Sequence, residues 1–248
     1  MRIISGRFKG KKLLLPKDKN TRPLKDLVKE SIFNLLEHSK KMNVNLKNST
    51  ILDLFSGSGS FGIECLSRES RYVCFFENYL EAIKVLEKNL LLFKNEKKFQ
   101  IFKDNCFEYF DSDKKIDKKF DIIFIDGLHH YNQVKKDIQN SISVLKDDGI
   151  ILIHDCMPRN FYYQAIPRCQ LNWNGDTWKA FLEFRSMEHL DAYCCYADEG
   201  IGVIFKRKNK NRLEINYKDF SKIDFNEFID NYKIYLNLIE YDDLIKII

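Results

Sequence analysis

The stretch ILDLFSGSGSFG, residues 51–62, decides the fold, because an apolar strand in it runs into a glycine-rich turn and the start of a helix. Gly57 and Gly59 permit a tight turn and let the backbone approach a ligand closely. The letters GSGSFG also match the GxGxxG pattern of nicotinamide-dinucleotide enzymes. Asp53, inside the strand, argues against that ligand, because an anionic pyrophosphate needs the same space. A cationic ligand that carries an amino-acid group fits this carboxylate better.

Apolar strands and amphipathic segments alternate around this turn and after it. The predicted strands are TILDLF, YVCFFE, FQIFKD, FDIIFID and GIILIHD, followed by an antiparallel pair, AYCCYA and GVIFKR. The predicted helices are SFGIECLSR, YLEAIKVLEKNLLLF, YNQVKKDIQNSISVL and residues 177–184. Continuous apolar strands separated by amphipathic helices are typical of a parallel sheet covered on both faces. The sequence therefore predicts an α/β fold with a doubly wound, mostly parallel sheet of seven strands.

Two flanking segments differ from this α/β unit. Residues 2–15 alternate in polarity and contain two glycines, which predicts a short β-hairpin or an extended basic arm. The segment TRPLKDLVKESIFNLLEH predicts a helix that begins near Pro23, and FNEFIDNYKIYLNLIEYDDLIKII predicts a helical tail for packing or dimerisation. The predicted division is an arm with its helix at 1–48, the α/β domain at 49–207, and a linker with the C-terminal helix at 208–248.

The positive charge of the chain is concentrated at its beginning. The net charge is +5, yet residues 1–50 hold 13 Lys or Arg against 4 Asp or Glu, so the remainder is slightly acidic. A basic arm of this kind favours contact with nucleic-acid phosphates, because such contacts release counterions. A solvated, lysine-rich surface explains the same pattern, and at this point both explanations stay open.

Composition also bears on the compartment. No run of about 18 apolar residues occurs, and no apolar segment follows the basic N-terminus. Neither a membrane span nor a signal peptide is indicated, and we expect a cytoplasmic protein. The seven cysteines are odd in number and include no CxxC pair. We therefore expect reduced, packed thiols, with neither disulfides nor a zinc site.

Acids follow three successive strands of the predicted sheet. Glu77 ends the second strand, where it is placed to accept hydrogen bonds from ribose hydroxyls, and Asp104 closes the third, where an adenine amine can be met. The alternatives are a plain strand-to-helix turn, a helix cap or an exposed strand end. The arrangement resembles the S-adenosylmethionine site of class I methyltransferases. The resemblance implies a Rossmann-like methyltransferase sheet and these cofactor-binding residues: Asp53, Gly57, Gly59, Glu77, Asp104 and Asn105.

The first half of the chain resembles bacterial 16S rRNA guanine-N2 methyltransferases. Three segments within residues 1–105 carry the likeness in order: MRIISGRFKGKKLLLP, TRPLKDLVKESIFNLL and LDLFSGSGSFGIECLSR. Those enzymes grip a guanine amine with an Asn/Asp-Pro-Pro-Tyr/Phe element after the fourth strand, and the aromatic ring stacks on the flipped base. Here the element reads Asp126-Gly127-Leu128-His129, without a proline and without the ring of a Tyr or Phe. The resemblance implies these RNA-facing residues: Arg2, Arg7, Lys9, Lys11 and Arg22.

The second half resembles a family that includes sugar and antibiotic O-methyltransferases, some of them magnesium-dependent. FDIIFIDGLHHYNQVKKDI, GIILIHDC, WNGDTWKAF and GIGVIF carry this likeness, over residues 118–206. In that strand order, strand four lies between strands one and five, so Asp126 and the pair His154-Asp155 should emerge side by side. Asp126, His154 and Asp155 are the candidate Mg²⁺ ligands, and His129 is the candidate base that deprotonates a hydroxyl.

Each of these assignments has a structural alternative. The alternative for Asp126 is a helix cap, and the alternative for His154-Asp155 is a hydrogen-bonded strand end. The metal-dependent relatives usually have an acid where His154 stands, so a third ligand, weak binding and no metal are all open. Trp173 and Trp178 either line an acceptor pocket or pack in the core around a capped helix.

The resulting hypothesis is an S-adenosylmethionine-dependent methyltransferase that methylates a hydroxyl of a sugar-like or small-molecule acceptor. The first alternative is a 16S rRNA guanine-N2 methyltransferase with a diverged catalytic loop, which would bind RNA through its arm. A non-catalytic RNA-binding relative and a dehydrogenase complete the alternatives. A glycan or small molecule, RNA and a second copy of the chain are the expected partners, with no membrane.

Overall fold

The fold is built on one twisted sheet with helices on both faces. The computed structural model describes residues 1–18, 24–39, 44–112, 116 and 118–247. Within them the sheet has eight strands, in the order β3-β2-β1-β4-β5-β7-β6-β8. The strands are β1 (Thr50–Leu54), β2 (Tyr72–Phe76), β3 (Phe99–Phe102), β4 (Phe120–Ile125), β5 (Leu145–Ile153), β6 (Asp191–Cys195), β7 (Ile201–Phe205) and β8 (Leu238–Ile239).

Strands one to five are parallel, and β7 is antiparallel to both β5 and β6. The predicted α/β class and mostly parallel sheet are therefore confirmed, and β4 does lie between β1 and β5. The strand count differs from the prediction, because the two-residue β8 pairs in parallel with β6 and makes an eighth strand. Two residues are too few to show a period of two, so the sequence gives no sign of β8.

The helices lie where amphipathic segments were predicted, with two additions. They are α1 (Asp26–His38), α2 (Ser60–Ser67), α3 (Leu80–Leu90), α4 (Cys106–Asp111), α5 (Tyr131–Val144), α6 (Phe161–Gln164), α7 (Thr177–Arg185), α8 (Phe225–Tyr235) and α9 (Tyr241–Ile247). The short helices α4 and α6 were not predicted. The tail was predicted as one helix, but it breaks at Asn237, whose φ is 48°. The predicted start near Pro23 lies outside the described residues.

Alternating residues of the strands point to opposite faces of the sheet and pack in two apolar layers. On one face, Leu52 and Leu54 of β1 pack with residues of α5, α7 and α8. On the other face, Ile51 packs with residues of α1, α2, α3 and α9. This alternation follows from the period of two along a strand. Phe225 and Phe228 of α8 are buried inside the chain, whereas Ile229 and Ile234 of the same helix are exposed. Packing therefore accounts for the first two residues, and dimerisation stays a prediction.

The N-terminal arm is anchored to the body of the protein. The buried carboxylate of Glu64, on α2, accepts hydrogen bonds from the backbone N–H groups of Ile4 at 2.8 Å and Ser5 at 2.9 Å. The fully buried Lys29 donates to the carbonyl of Arg2 at 2.6 Å. An antiparallel bridge between Arg2 and Lys12 closes the arm, as the hairpin prediction requires. The arm therefore presents its exposed cations from a fixed backbone.

Among the described residues, no helix combines the length and the apolar character needed to cross a membrane. The three-part division of the chain stays a prediction.

Asp137, on α5, is a buried carboxyl group with little compensation. Its Oδ2 has no hydrogen-bond partner in the described part of the chain, and Gln133 approaches its Oδ1 only at 3.4 Å. Burial raises the pKa of this carboxyl from 3.8 to about 8. The folded protein therefore binds this proton more tightly than the unfolded chain does, and the stability linked to it is lost as pH rises through this window.

We expect Asp137→Asn to stabilise the protein at neutral and alkaline pH relative to pH 4. The difference in unfolding free energy between the variant and the wild type should grow in favour of the variant by up to about 1.4 kcal/mol per pH unit. Urea unfolding between about pH 4 and pH 8 measures it, with the exposed Asp147→Asn as control. A difference that does not change with pH would contradict the expected burial of an ionising group.

Candidate active site

A cavity of about 380 Å³ lies where the carboxyl ends of the parallel strands meet. The turn after β1, the end of β2, the loop after β4 and the end of β5 all contribute to its lining. The arm and the start of α1 also contribute, through Leu15, Pro16, Leu24 and Lys25. Of the predicted site residues, these line the cavity: Asp53, Gly57, Glu77, Asp126, His129, His154, Asp155 and Trp173.

The glycine-rich turn is held in place by Glu77. One carboxylate oxygen of Glu77 accepts a hydrogen bond from the backbone N–H of Gly57 at 2.7 Å. The other oxygen accepts from the backbone N–H groups of Asn78 and Tyr79. Gly57 has a φ of 54°, and a Cβ added there would meet no atom within 4 Å. Glycine therefore leaves open space where the turn borders the cavity.

Gly59 has a different function in the same turn. A Cβ at this position would lie 2.4 Å from a methyl group of Leu86 on α3. With its φ of 83°, the position favours glycine for both conformation and space. Gly59 does not line the cavity, so its effect on a ligand is through the shape of the turn.

Asp53 places a buried carboxyl group beside the turn. Its Oδ2 accepts a hydrogen bond from the backbone N–H of Gly62 at 3.0 Å. Burial raises the pKa of Asp53 to about 8, and the nearby Asp126 and Glu77 add to the increase. Among the described residues, no Lys, Arg or His lies within 4.0 Å of this carboxyl group. A cationic ligand in the cavity would favour the ionised form and gain from it.

Asp126, His129, His154 and Asp155 form one cluster, hereafter the Asp-His cluster. His154 Nδ1 lies 3.3 Å from Asp126 Oδ1 and 3.6 Å from Asp155 Oδ2. The ring of His129 lies between the same acids, with Nε2 at 3.5 Å from Asp126 Oδ1 and Nδ1 at 3.4 Å from Asp155 Oδ2. The predicted adjacency of the ends of β4 and β5 is therefore present in the structure.

The charges of the Asp-His cluster stabilise one another. For Asp126, burial opposes ionisation, but His154 and His129 together hold the pKa of this carboxyl well below its usual range. For His154, burial also opposes the charge, yet Asp155 and Asp126 raise its pKa to about 9. Burial likewise disfavours charge on His129, and hydrogen bonding to Asp126 with the charge of Asp155 raises its pKa. His154 is therefore protonated near neutral pH, and the two acids favour the protonated form of His129. The assignment of His129 as a base stays a prediction.

The Asp-His cluster also offers ligand atoms for a metal ion. One donor atom each from Asp126, His154 and Asp155 lies within 4.8 Å of the others. A mixed set of carboxylate oxygens and a ring nitrogen suits a transition-metal ion better than Mg²⁺, which prefers oxygen ligands. The second ring nitrogen of His154, Nε2, is buried without a hydrogen-bond partner in the described residues and lies 4.0 Å from Asp198 Oδ2.

A second layer of residues positions the Asp-His cluster. Asn174, which is buried, donates a hydrogen bond to Asp155 Oδ1 at 3.0 Å. Asp155 itself has a φ of 60°, which is uncommon outside glycine. The ring of Trp173 stacks on His129 with a centroid distance of 5.5 Å. These contacts fix the orientation of the Asp155 and His129 side chains in the cavity.

The pocket prediction for Trp178 is wrong. Its side chain is fully buried and packs on Phe228 of α8 with a ring-centroid distance of 4.1 Å. The position is on the inward face of α7, and the tail that covers it is more than 40 residues later in the chain. Trp173 alone of the two lines the cavity.

Several other predicted residues lie away from the cavity. Asp104 and Asn105 do not line it. Arg2, Arg7, Lys9 and Lys11 are exposed on the arm. Arg7 pairs with Glu96 at 2.8 Å, and Arg2 lies 3.7 Å from Asp26. Arg22 lies outside the described residues.

Sequence analysis missed three charged residues near the cavity. Lys25 and Arg168 line it, and Asp198, in the turn between β6 and β7, bonds Lys25 at 2.9 Å. Lys25 lies in the segment TRPLKDLVKESIFNLL, but no role was assigned to it there, and neither Arg168 nor Asp198 belongs to a recognisable motif. Only the folded chain brings them to the cavity.

Comparison with known proteins agrees with this fold. The model of the family described as "Conserved hypothetical protein 95" matches residues 1–165, about two thirds of the chain. That match includes the arm, the glycine-rich turn and all four residues of the Asp-His cluster. It ends before Arg168 and Trp173.

Two curated relatives extend the comparison. "Putative rRNA methyltransferase YlbH" of Bacillus subtilis is 32% identical over 158 residues, which cover 62% of this chain and 83% of that protein. "Ribosomal RNA small subunit methyltransferase D" of Buchnera aphidicola subsp. Acyrthosiphon pisum is 35% identical over 136 residues, covering 55% of this chain and 66% of that protein.

A solved structure shares the fold. "Putative methyltransferase yhhF from Escherichia coli" superposes with a TM-score of 0.59 at 20% identity, covering 85% of this chain and 99% of that one. This likeness concerns the fold alone.

Gly175, which precedes α7, packs directly on the loop that carries His129. It has a φ of 59°, and a Cβ there would lie 1.8 Å from the carbonyl oxygen of His129. We expect Gly175→Ala to lower the free energy of unfolding by about 3 kcal/mol, from backbone strain together with the clash.

The matched control is Gly10→Ala. Gly10 also has a positive φ, 84°, but no atom lies within 4 Å of an added Cβ. Strain alone should cost about 1 kcal/mol there. Denaturant unfolding of both variants measures the difference, and equal losses would show that the approach of Gly175 to His129 is not as close as described.

Proposed function

The chain belongs to the family described as conserved hypothetical protein 95 and is a class I S-adenosylmethionine-dependent methyltransferase, and from this premise we propose that it methylates small-subunit ribosomal RNA. The observation that carries the proposal is the family match over residues 1–165, since it includes both the basic arm and the site. The rRNA named for two relatives supports the same acceptor. Among the interpretations of the sequence, this favours the first alternative over methylation of a sugar-like molecule.

The residues of the cavity fit the cofactor. S-adenosylmethionine supplies a methyl group on a positively charged sulfur. In the proposed arrangement, the buried carboxylate of Asp53 offsets the cationic amino-acid end, and Glu77 accepts hydrogen bonds from the ribose hydroxyls. Glu77 also fixes Gly57, so that the turn and the nucleoside site are one unit.

The arm links RNA binding to the cavity. Its exposed residues Lys9 and Lys11 precede Leu15 and Pro16, which line the cavity. An RNA strand that contacts the lysines through its phosphates therefore lies close to the methyl-transfer site. The anchored backbone of the arm, tied to Glu64 and Lys29, keeps this geometry fixed in the absence of RNA.

The loop after β4 departs from the pattern of amine methylation. Asp126 remains as a hydrogen-bond acceptor, but the positions of the two prolines and the ring hold Gly127, Leu128 and His129. In this proposal, Asp126 orients the acceptor group, and His129 and His154 hold Asp126 ionised. Trp173, which lines the cavity, stacks on His129 of this loop.

Methyl transfer to a hydroxyl of a sugar-like or small-molecule acceptor is the second candidate. The Asp-His cluster favours it, because carboxylate and imidazole groups are suited to proton transfer from a hydroxyl. In this candidate His129 would accept the proton in its neutral form, which the neighbouring acids disfavour. The donor set fits Mg²⁺ poorly, so no magnesium-dependent step is part of this candidate.

The deciding experiment supplies the purified protein with cofactor labelled in its methyl group and offers small ribosomal subunits, naked rRNA, and small-molecule or glycan fractions. We expect label in rRNA, recovered as a methylated nucleoside after digestion and identified by mass spectrometry. Label confined to the small-molecule or glycan fraction would reject the rRNA proposal in favour of the second candidate.

The arm gives an independent prediction. We expect Lys9→Glu/Lys11→Glu to weaken RNA binding and to flatten its salt dependence, because each lost phosphate contact lowers the slope of log K against log salt by about 0.7 to 0.9. Fluorescence anisotropy at several KCl concentrations measures the slope. Lys208→Glu/Lys210→Glu, two exposed lysines at the same spacing, is the matched control. Equal effects of the two pairs would exclude a specific contact by the arm.

A further inference from the structure

The segment between β5 and α7 supplies its own part of the cavity lining. Arg168, Leu171 and Trp173 belong to it and line the cavity. All three lie after residue 165, where the family match ends. This part of the mouth therefore lies outside the matched region.

Arg168 carries a positive charge, and no carboxylate of the described residues pairs with it. Its Nε donates a hydrogen bond to the carbonyl of Gln170 at 2.9 Å, and its Nη2 donates to the carbonyl of Leu171. In the part of the chain that the structure describes, no carboxylate lies within 4.0 Å of it. Backbone carbonyls thus fix the guanidinium at the mouth without neutralising it. Lys25, the other cation of the lining, is already paired with Asp198.

The segment that carries Arg168 also has exposed apolar and aromatic side chains. Phe161 is 58% exposed, Tyr162 is 63% exposed and Leu171 is 77% exposed. The guanidinium carbon of Arg168 lies 5.9 Å from the ring centre of Trp173. A cation interleaved with exposed rings is the composition that binds unpaired nucleotides, because phosphates meet the charge and bases meet the flat apolar surfaces. A neutral sugar acceptor would leave Arg168 without a counter-charge.

We infer that Arg168 binds a phosphate of an unpaired RNA strand, next to the nucleotide that enters the cavity beside Asp126. The inference rests on the proposed function in that the acceptor is RNA. Arginine suits this contact, since its planar donors match phosphate oxygens in pairs. Leu171 contributes the apolar surface against which a neighbouring base lies. The arm and this segment are then two RNA-contacting parts of one cavity mouth.

The test measures binding of a single-stranded oligonucleotide from small-subunit rRNA to Arg168→Gln by anisotropy at several KCl concentrations. We expect Kd to rise about fivefold to tenfold and the salt slope to fall by about 0.7, which corresponds to one phosphate contact on a single strand. Arg168→Lys should restore the slope but only part of the affinity, since it keeps the charge and loses the paired geometry. In methyl transfer, KM for RNA should rise with kcat little changed.

The matched control is Arg212→Gln. Arg212 is also exposed and donates to a backbone carbonyl, that of Ser186, but it does not line the cavity. Circular dichroism melts establish whether each variant is folded. If Arg168→Gln does not fold, the salt slope and the affinity of Arg168→Lys test the phosphate contact instead. An unchanged salt slope in Arg168→Gln, or equal effects of both glutamine variants, overturns the inference. Transfer of methyl groups to rRNA by the wild type would still support the proposed function in that case. No transfer to any RNA by the wild type rejects both.

Discussion

The position of β4 between β1 and β5 is the constraint on which the whole site depends. Ile125 of β4 is in register with Ile153 of β5, and the backbone N–H of His154 continues the ladder to the carbonyl of Ile125 at 3.0 Å. The next side chains, Asp126 and His154, therefore leave neighbouring strands at the same level and meet at 3.3 Å. On the other side of β4, β1 places Asp53 at the same edge. Parallel pairing thus brings polar residues from separate stretches of sequence together at one edge of the sheet.

The charges of these polar residues fall into two groups. The two acids and two imidazoles of the Asp-His cluster stabilise their charges mutually, which is why the pKa of Asp126 falls while that of His154 rises to about 9. Asp53 lies outside this balance, and burial raises its pKa to about 8. A cationic cofactor compensates the unbalanced acid and leaves the balanced cluster to the acceptor.

Much of this arrangement could be predicted from the sequence, because it follows from local pattern. The strand-turn-helix around Gly57 and Gly59, and the meeting of Asp126 with His154-Asp155, follow from strand periodicity and from the strand order. Contacts that depend on distant packing could not be predicted. The sequence left Trp178 open between a pocket and the core, and its packing on Phe228 of the tail, more than 40 residues later, places it in the core. Arg168 belongs to no motif, and only the folded loop brings it to the mouth. The two acids that raise the pKa of His129, Asp126 and Asp155, follow different strands, so this environment could not be judged from spacing.

The most direct test of the central claim is a crystal structure of the protein with S-adenosylhomocysteine bound. The account predicts the ribose hydroxyls at Glu77, the amino-acid end beside Asp53, and the sulfur facing Asp126 across the cavity. A nucleoside bound outside this cavity, or a sulfur directed away from Asp126, would contradict it.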